Sequence, residues 1–170
     1  MIVLVFGLPG SGKSFFASRL AKRINAVYVN SDKVRKEMFE NRDYSNHEKK
    51  IVYNKMIEQM REAVQQNNNL VLDATFHRKD TRKMFTDEMK GEGEISFIEI
   101  QADENIIKER VKKERLYSEA DFEVYKLIRQ HNEPLEAPHL ILKSTNDNID
   151  EMLEKAIKYL KTKYDNRTNQ

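Results

Sequence analysis

The chain has 170 residues, 30 Lys+Arg against 28 Asp+Glu, and a formal net charge of +2. That length suits one domain burying roughly 70% of its unfolded surface, and a charge so near zero disfavours a protein held to nucleic acid by bulk electrostatics. The 34% charged and 39% hydrophobic residues describe a folded chain with a polar surface, and the lack of cysteine excludes disulfide-linked partners, thiolate metal sites and cysteine nucleophiles, as suits the cytoplasm.

The first predicted strand, Ile2–Phe6, is short and lacks a basic flank, unlike a signal peptide. No apolar run approaches the roughly 18 residues of a membrane span, so no membrane partner is expected. Residues 7–14 read GLPGSGKS, a full match to the pattern G-x-x-x-x-G-K-[ST], with a strand before it and a helical pattern, Lys13–Ile24, after it. Three of the chain's five glycines fall there, where backbone must approach a ligand closely. The expected nucleotide contacts are Gly7, Leu8, Pro9, Gly10, Ser11, Gly12, Lys13, Ser14 and Phe15. Helix-start N–H groups favour phosphate. Lys13 should reach the β- and γ-phosphates of ATP, and the Ser14 hydroxyl should ligate Mg²⁺.

The second strand, Ala26–Asn30, feeds a helix over Asp32–Glu40. Asp32 and Arg35 are i and i+3 and share a face at the ligand edge of the sheet. A carboxylate there can take the proton of an attacking hydroxyl, and Arg35 can hold an acceptor phosphate or carboxylate through a bidentate fork. Ser45-x-x-Glu48 marks the start of the next helix, His47–Gln66. The third strand, Asn69–Asp73, delivers one carboxylate to the same edge, to bind Mg²⁺ or position the acceptor. A GTPase needs Asn-Lys-x-Asp after a strand, whereas the only Asn-Lys, Asn54-Lys55, lies mid-helix. A mechanical ATPase needs a second acid after Asp73, where Ala74 stands. Transfer to a bound acceptor fits better than activation of water.

Arg78 and Arg82 are i, i+4 at the helix Lys79–Lys90 and join the candidate acceptor contacts. After the strand Ile95–Ile100, the helices Glu104–Lys113 and Ala120–His131 make a short lid over about residues 104–131, the second opened by Ser118-x-x-Asp121. Arg110 and Arg115 stand about 140° apart on a helix. Either Arg115 reaches back from a loop, or Lys113 partners Arg110. The last strand, Leu140–Lys143, precedes Ser144-Thr145-Asn146, which should border the nucleotide base. A helix over Ile149–Tyr164 ends a single domain at 1–164, and 165–170 reads as a polar tail. Strands alternating with helices imply an α/β three-layer fold with a parallel sheet.

GLPGSGKS, SDKVR, LVLDATFHRKDTR and SEADFEVYKLIRQHNEP, in that order, resemble the small P-loop kinases of the AAA-domain and zeta-toxin-like group, which includes polynucleotide 5′-hydroxyl kinases. The resemblance spans roughly residues 1–145. It implies a five-stranded sheet in the order 2-3-1-4-5. It implies Asp32 as general base, Arg35 as acceptor-phosphate contact, Asp73 near Mg²⁺ and substrate, and Arg82 as an arginine following that acid. Arg110 and Arg115 would be lid arginines clamping the ATP phosphates, so the catalytic set becomes Lys13, Asp32, Arg110 and Arg115. The expected activity is transfer of the γ-phosphoryl of ATP to a hydroxyl, with a 5′-hydroxyl nucleic acid end as one acceptor. A sugar, nucleoside or nucleotide-sugar is the alternative. An ATP-binding switch without its own acceptor is the alternative from another class.

Overall fold

The computed structural model describes residues 1–113 and 120–168. Five parallel strands form one sheet in the order β2-β3-β1-β4-β5: β1 (Ile2–Phe6), β2 (Ala26–Asn30), β3 (Asn69–Asp73), β4 (Ile95–Gln101) and β5 (Leu140–Lys143). Between and after them run α1 (Lys13–Arg23), α2 (Ser31–Met38), α3 (Asn46–Gln65), α4 (Lys79–Glu88), α5 (Glu104–Val111), α6 (Phe122–Gln130) and α7 (Ile149–Thr168). This is the strand order and fold class that the resemblance implies.

Strand periodicity builds the two layers of core. Ile2, Leu4 and Phe6 point to one face and pack with Met56, Met60, Phe76 and Phe85 beneath α3 and α4. Val3 and Val5 point to the other and pack with Leu20, Ile98, Ile100 and Leu160 beneath α1 and α7. Such side chains stabilise the fold by about 1.5–3 kcal/mol each. Every residue of β1 is buried, as a central parallel strand requires.

Caps explain where the helices depart from the expected bounds. Asn30, the last residue of β2, accepts a hydrogen bond from Lys33 N at 2.9 Å, so α2 begins at Ser31 rather than Asp32. Ser45 accepts from Glu48 N at 3.1 Å, as its spacing predicts. Asp121 caps α6 by accepting from Val124 N at 2.9 Å, which starts that helix at Phe122 rather than Ala120. Its expected partner in a capping box, Ser118, lies outside the described residues. No Gly or Pro interrupts α7, and it continues to Thr168, through residues expected to be a polar tail.

Candidate active site

The carboxyl ends of β1, β2 and β3 meet at one edge, and the register decides which side chains touch. Asn30 of β2 and Val5 of β1 both stand opposite Asp73 of β3. Tyr28 and Asn30, two residues apart on β2, face the same side. The Tyr28 hydroxyl donates to Asp73 Oδ2 at 2.7 Å and the Asn30 amide donates to the same oxygen at 2.5 Å. That amide also reaches Ser14 Oγ at 3.4 Å, so one nitrogen ties the P-loop serine to the acid at the end of β3. Burial, with the Asp73 carboxylate beside it, pushes the Tyr28 phenol well above its ordinary pKa.

Asp73 is fully buried, and its Oδ1 has no hydrogen-bond partner among the described residues. A buried carboxylate oxygen left unpaired is costly, and a cation beside Ser14 would satisfy it. Among the described residues no cluster of three or more His, Cys, Asp or Glu is placed to hold a metal. The unpaired Asp73 oxygen and the nearby Ser14 hydroxyl are hard oxygen donors of the kind Mg²⁺ takes, a few at a time, from a protein.

The P-loop has the backbone its sequence demands. Gly7 has φ +152°, and a Cβ there would stand 2.3 Å from the Ile100 carbonyl oxygen. Gly12 caps α1 at φ +92° with no side-chain hydrogen bond, which leaves the first N–H groups of the helix for a ligand. A Cβ on Gly12 would lie 2.9 Å from Ser144 Oγ and 3.0 Å from an Arg110 nitrogen. The 144–146 loop and Arg110 thus pack directly on the cradle.

Arg110 is anchored there. One terminal nitrogen donates to Ser11 O at 3.0 Å and Ser144 Oγ at 3.1 Å, and the other donates to Thr145 O at 2.6 Å and Asn146 Oδ1 at 3.2 Å. Arg110, expected to clamp the ATP phosphates, thus has its guanidinium held beside the P-loop by the Ser11 and Thr145 carbonyls and by Ser144 and Asn146. α5 ends at Val111, so Lys113 is not its helical partner. Arg115 lies outside the described residues.

Asp32 and Arg35 do share a face. Arg35 donates to Asp32 Oδ1 at 3.0 Å, and its Nε pairs with Glu48 Oε1 of α3 at 2.7 Å. Both members of the second pair are buried, whereas the Asp32 side chain keeps 29% exposure. Glu48 also accepts from the Asp43 and Tyr44 N–H groups, at 2.8 and 3.3 Å. Removing either partner of a buried pair leaves the other uncompensated, so Arg35 is held firmly between its two acids. Glu48 was legible only as a helix-start residue, because its partner comes from another helix.

Asp32, Arg35 and Lys13 line one cavity of about 840 Å³. Lys49, Lys50 and Tyr53 of α3 form a second wall, Thr75, His77 and Arg78 a third, and Val124, Leu127 and Ile128 of α6 a fourth. Burial pushes the Tyr53 phenol up to about 12. Arg78 sits at the cavity, paired with Asp80 at 3.2 Å.

Arg82 does not join it. Arg78 is the cap of α4 rather than a helical residue, so the i, i+4 reasoning fails. Arg82 is buried and donates to Phe76 O and Glu133 O, each at 2.6 Å, stitching the loop after β3 to the segment after α6. Arg82→Ala should lower unfolding stability by about 1–3 kcal/mol, because those carbonyls lose their partner. Urea unfolding and acceptor KM should be measured together. A rise in KM with unchanged stability would return Arg82 to the acceptor contacts.

A family model described as "AAA domain" matches residues 2–135. No curated protein sequence matches the chain. Among solved structures, a gluconokinase from Sinorhizobium meliloti 1021 superposes with a TM-score of 0.77 at 15% identity, covering 99% of this chain and 96% of that one. The Mycobacterium tuberculosis APS kinase CysC, in complex with AMPPNP and APS, gives 0.70 at 17% identity, covering 94% and 96%. Chaetomium thermophilum Kti12, in complex with ADP-AlF3, gives 0.69 at 14% identity, covering 93% and 98%. At such identities the likeness shows the shared fold.

Proposed function

The chain belongs to that AAA-domain family, with the small P-loop kinase fold, and on this premise we propose that it is an ATP-dependent phosphotransferase with a hydroxyl acceptor. The observation that carries the reading is that Lys13 and Asp32 line the same cavity. The P-loop backbone and Lys13 hold the triphosphate, and the acceptor lies on the α2 side.

Asp32 takes the hydroxyl proton as the acceptor oxygen bonds to the γ-phosphorus. The bond from that phosphorus to the β–γ bridging oxygen breaks, and ADP leaves. Arg35, fixed by Glu48, holds the Asp32 carboxylate in place. Mg²⁺ on Ser14 and Asp73 would neutralise charge on the β- and γ-phosphates. Asn30 and Tyr28 keep the Asp73 carboxylate oriented. Ser144, Thr145 and Asn146, with Arg110 among them, border the base end. Most of the rate enhancement then comes from positioning and fixed charge.

A small acceptor is favoured over a nucleic acid end. About 840 Å³ is the size of a small-molecule site, and basic residues around it are already paired: Lys79 with Glu136, Lys33 with Glu37, Lys126 with Glu123. Those paired lysines offer a polyanion less than free ones would. Among the described residues no helix is long and apolar enough to cross a membrane, and a cytoplasmic setting is part of the proposal, supported by the cysteine-free composition.

The test is transfer of label from γ-labelled ATP across sugars, nucleosides, nucleotide-sugars and 5′-hydroxyl oligonucleotides. Labelled small acceptor is expected. Preferential labelling of the oligonucleotide, weakening steeply with salt, would overturn the acceptor class.

A further inference from the structure

The acceptor cavity holds more positive charge than catalysis needs. Arg35 is neutralised by Asp32 and Glu48, and Arg78 by Asp80. Lys13 is assigned to the nucleotide. Lys49 and Lys50, from the first turns of α3, also line the cavity and make no ion pair among the described residues. Lys49 is half-buried. Beside it is His77, which lines the same cavity and has a buried Nδ1 with no hydrogen-bond partner among the described residues.

The charges facing His77 come from every side of the cavity. Lys49 of α3, neighbouring Arg78 and His131 at the end of α6 all disfavour its protonation, and Glu133 alone favours it. With burial as the largest cause, the imidazole is held below its ordinary pKa. A half-buried ammonium without an ion pair acts on an imidazole whose Nδ1 is unpaired, and a second, exposed ammonium lines the same cavity, which together make a place suited to an anion. Many surface lysines are neutralised by a nearby acid, as Lys55 is by Glu58, Lys108 by Glu104 and Lys155 by Glu151; Lys49, half-buried at the cavity, is not.

We infer that Lys49, Lys50 and His77 form an anion subsite, and that the acceptor is a small hydroxyl compound bearing a phosphate or carboxylate. This rests on the phosphotransfer reading for its meaning, but not for its test. The anionic group binds at the α3 wall and His77 donates to it, while the hydroxyl is presented to Asp32. A neutral analogue would leave the lysines without a partner, and discrimination would follow from that loss.

The experiment keeps the P-loop filled with Mg²⁺ and AMPPNP and titrates sulfate, which stays fully ionised, and acetate in parallel. The His77 ring is followed by NMR, assigned with His77→Gln. A saturable shift of its resonances is expected, with a raised His77 pKa. Sulfate affinity should increase as pH falls through the range of histidine titration, because the anion favours the protonated ring. Lys49→Met and the Lys49→Met/Lys50→Met pair should weaken binding at least tenfold while their thermal unfolding midpoints stay close to wild type. The tighter of the two probes tells a tetrahedral from a planar group. A ring that responds to neither anion, or responds equally in the lysine variants, overturns the subsite. Loss of the phosphotransfer reading would look different: anion binding intact, and no acceptor labelled by ATP.

Discussion

Asp32→Asn should bind AMPPNP as the wild type does, while acceptor-dependent turnover falls about 10²-fold or more, the usual worth of a positioned general base. Asparagine keeps an oxygen for Arg35, which stays anchored by Glu48, so the α2–α3 contact survives. What is lost is the ability to take a proton. Asp32 belongs to α2 rather than to the P-loop and only its side-chain chemistry changes, so the P-loop backbone should be untouched. Calorimetry with AMPPNP and steady-state kinetics on the same preparation separate the two effects. Equal turnover in the variant would remove Asp32 from the role of base.

Lys13→Ala should damage both steps. The ammonium is the nearest positive side chain that the P-loop offers the β- and γ-phosphates, and charge develops on the transferred group during reaction. Removing one such electrostatic contact typically costs about 10²–10³ in rate, and nucleotide affinity should fall with it. Lys13 makes no ion pair among the described residues, so the fold should be indifferent to its removal. An unchanged AMPPNP Kd together with unchanged turnover would contradict the phosphate cradle.

The contrast between these residues shows what was legible in the sequence. Gly7, Gly12, Lys13 and Ser14 could be read because a phosphate cradle constrains a contiguous stretch of backbone. The pairing of Asp32 with Arg35 was legible too, since i and i+3 on one helix meet whatever the fold does. The strands came from their apolar runs, whereas the strand order came with the family resemblance.

What could not be read depends on contacts between distant segments. Nothing local brings Glu48 to Arg35, or Tyr28 and Asn30 to Asp73; sheet register and the seating of α3 do so. Arg82 and Arg110 show the same limit from the other side. Each looks like a free cation in the sequence, and each is committed to backbone carbonyls that the chain brings in from 51 and 99 residues away. Lys49 could not be distinguished from the other lysines of its helix until the structure placed it in the lining of the cavity that Asp32 also lines.

Phosphotransfer itself is tested most directly by the fate of the γ-phosphoryl. With γ-labelled ATP, Mg²⁺ and an accepted substrate, label in the acceptor should match ADP formed, and ADP formation should nearly stop when the acceptor is withheld. ADP accumulating at the same rate without acceptor, with the label appearing as inorganic phosphate, would contradict a kinase and leave a nucleotide-hydrolysing switch.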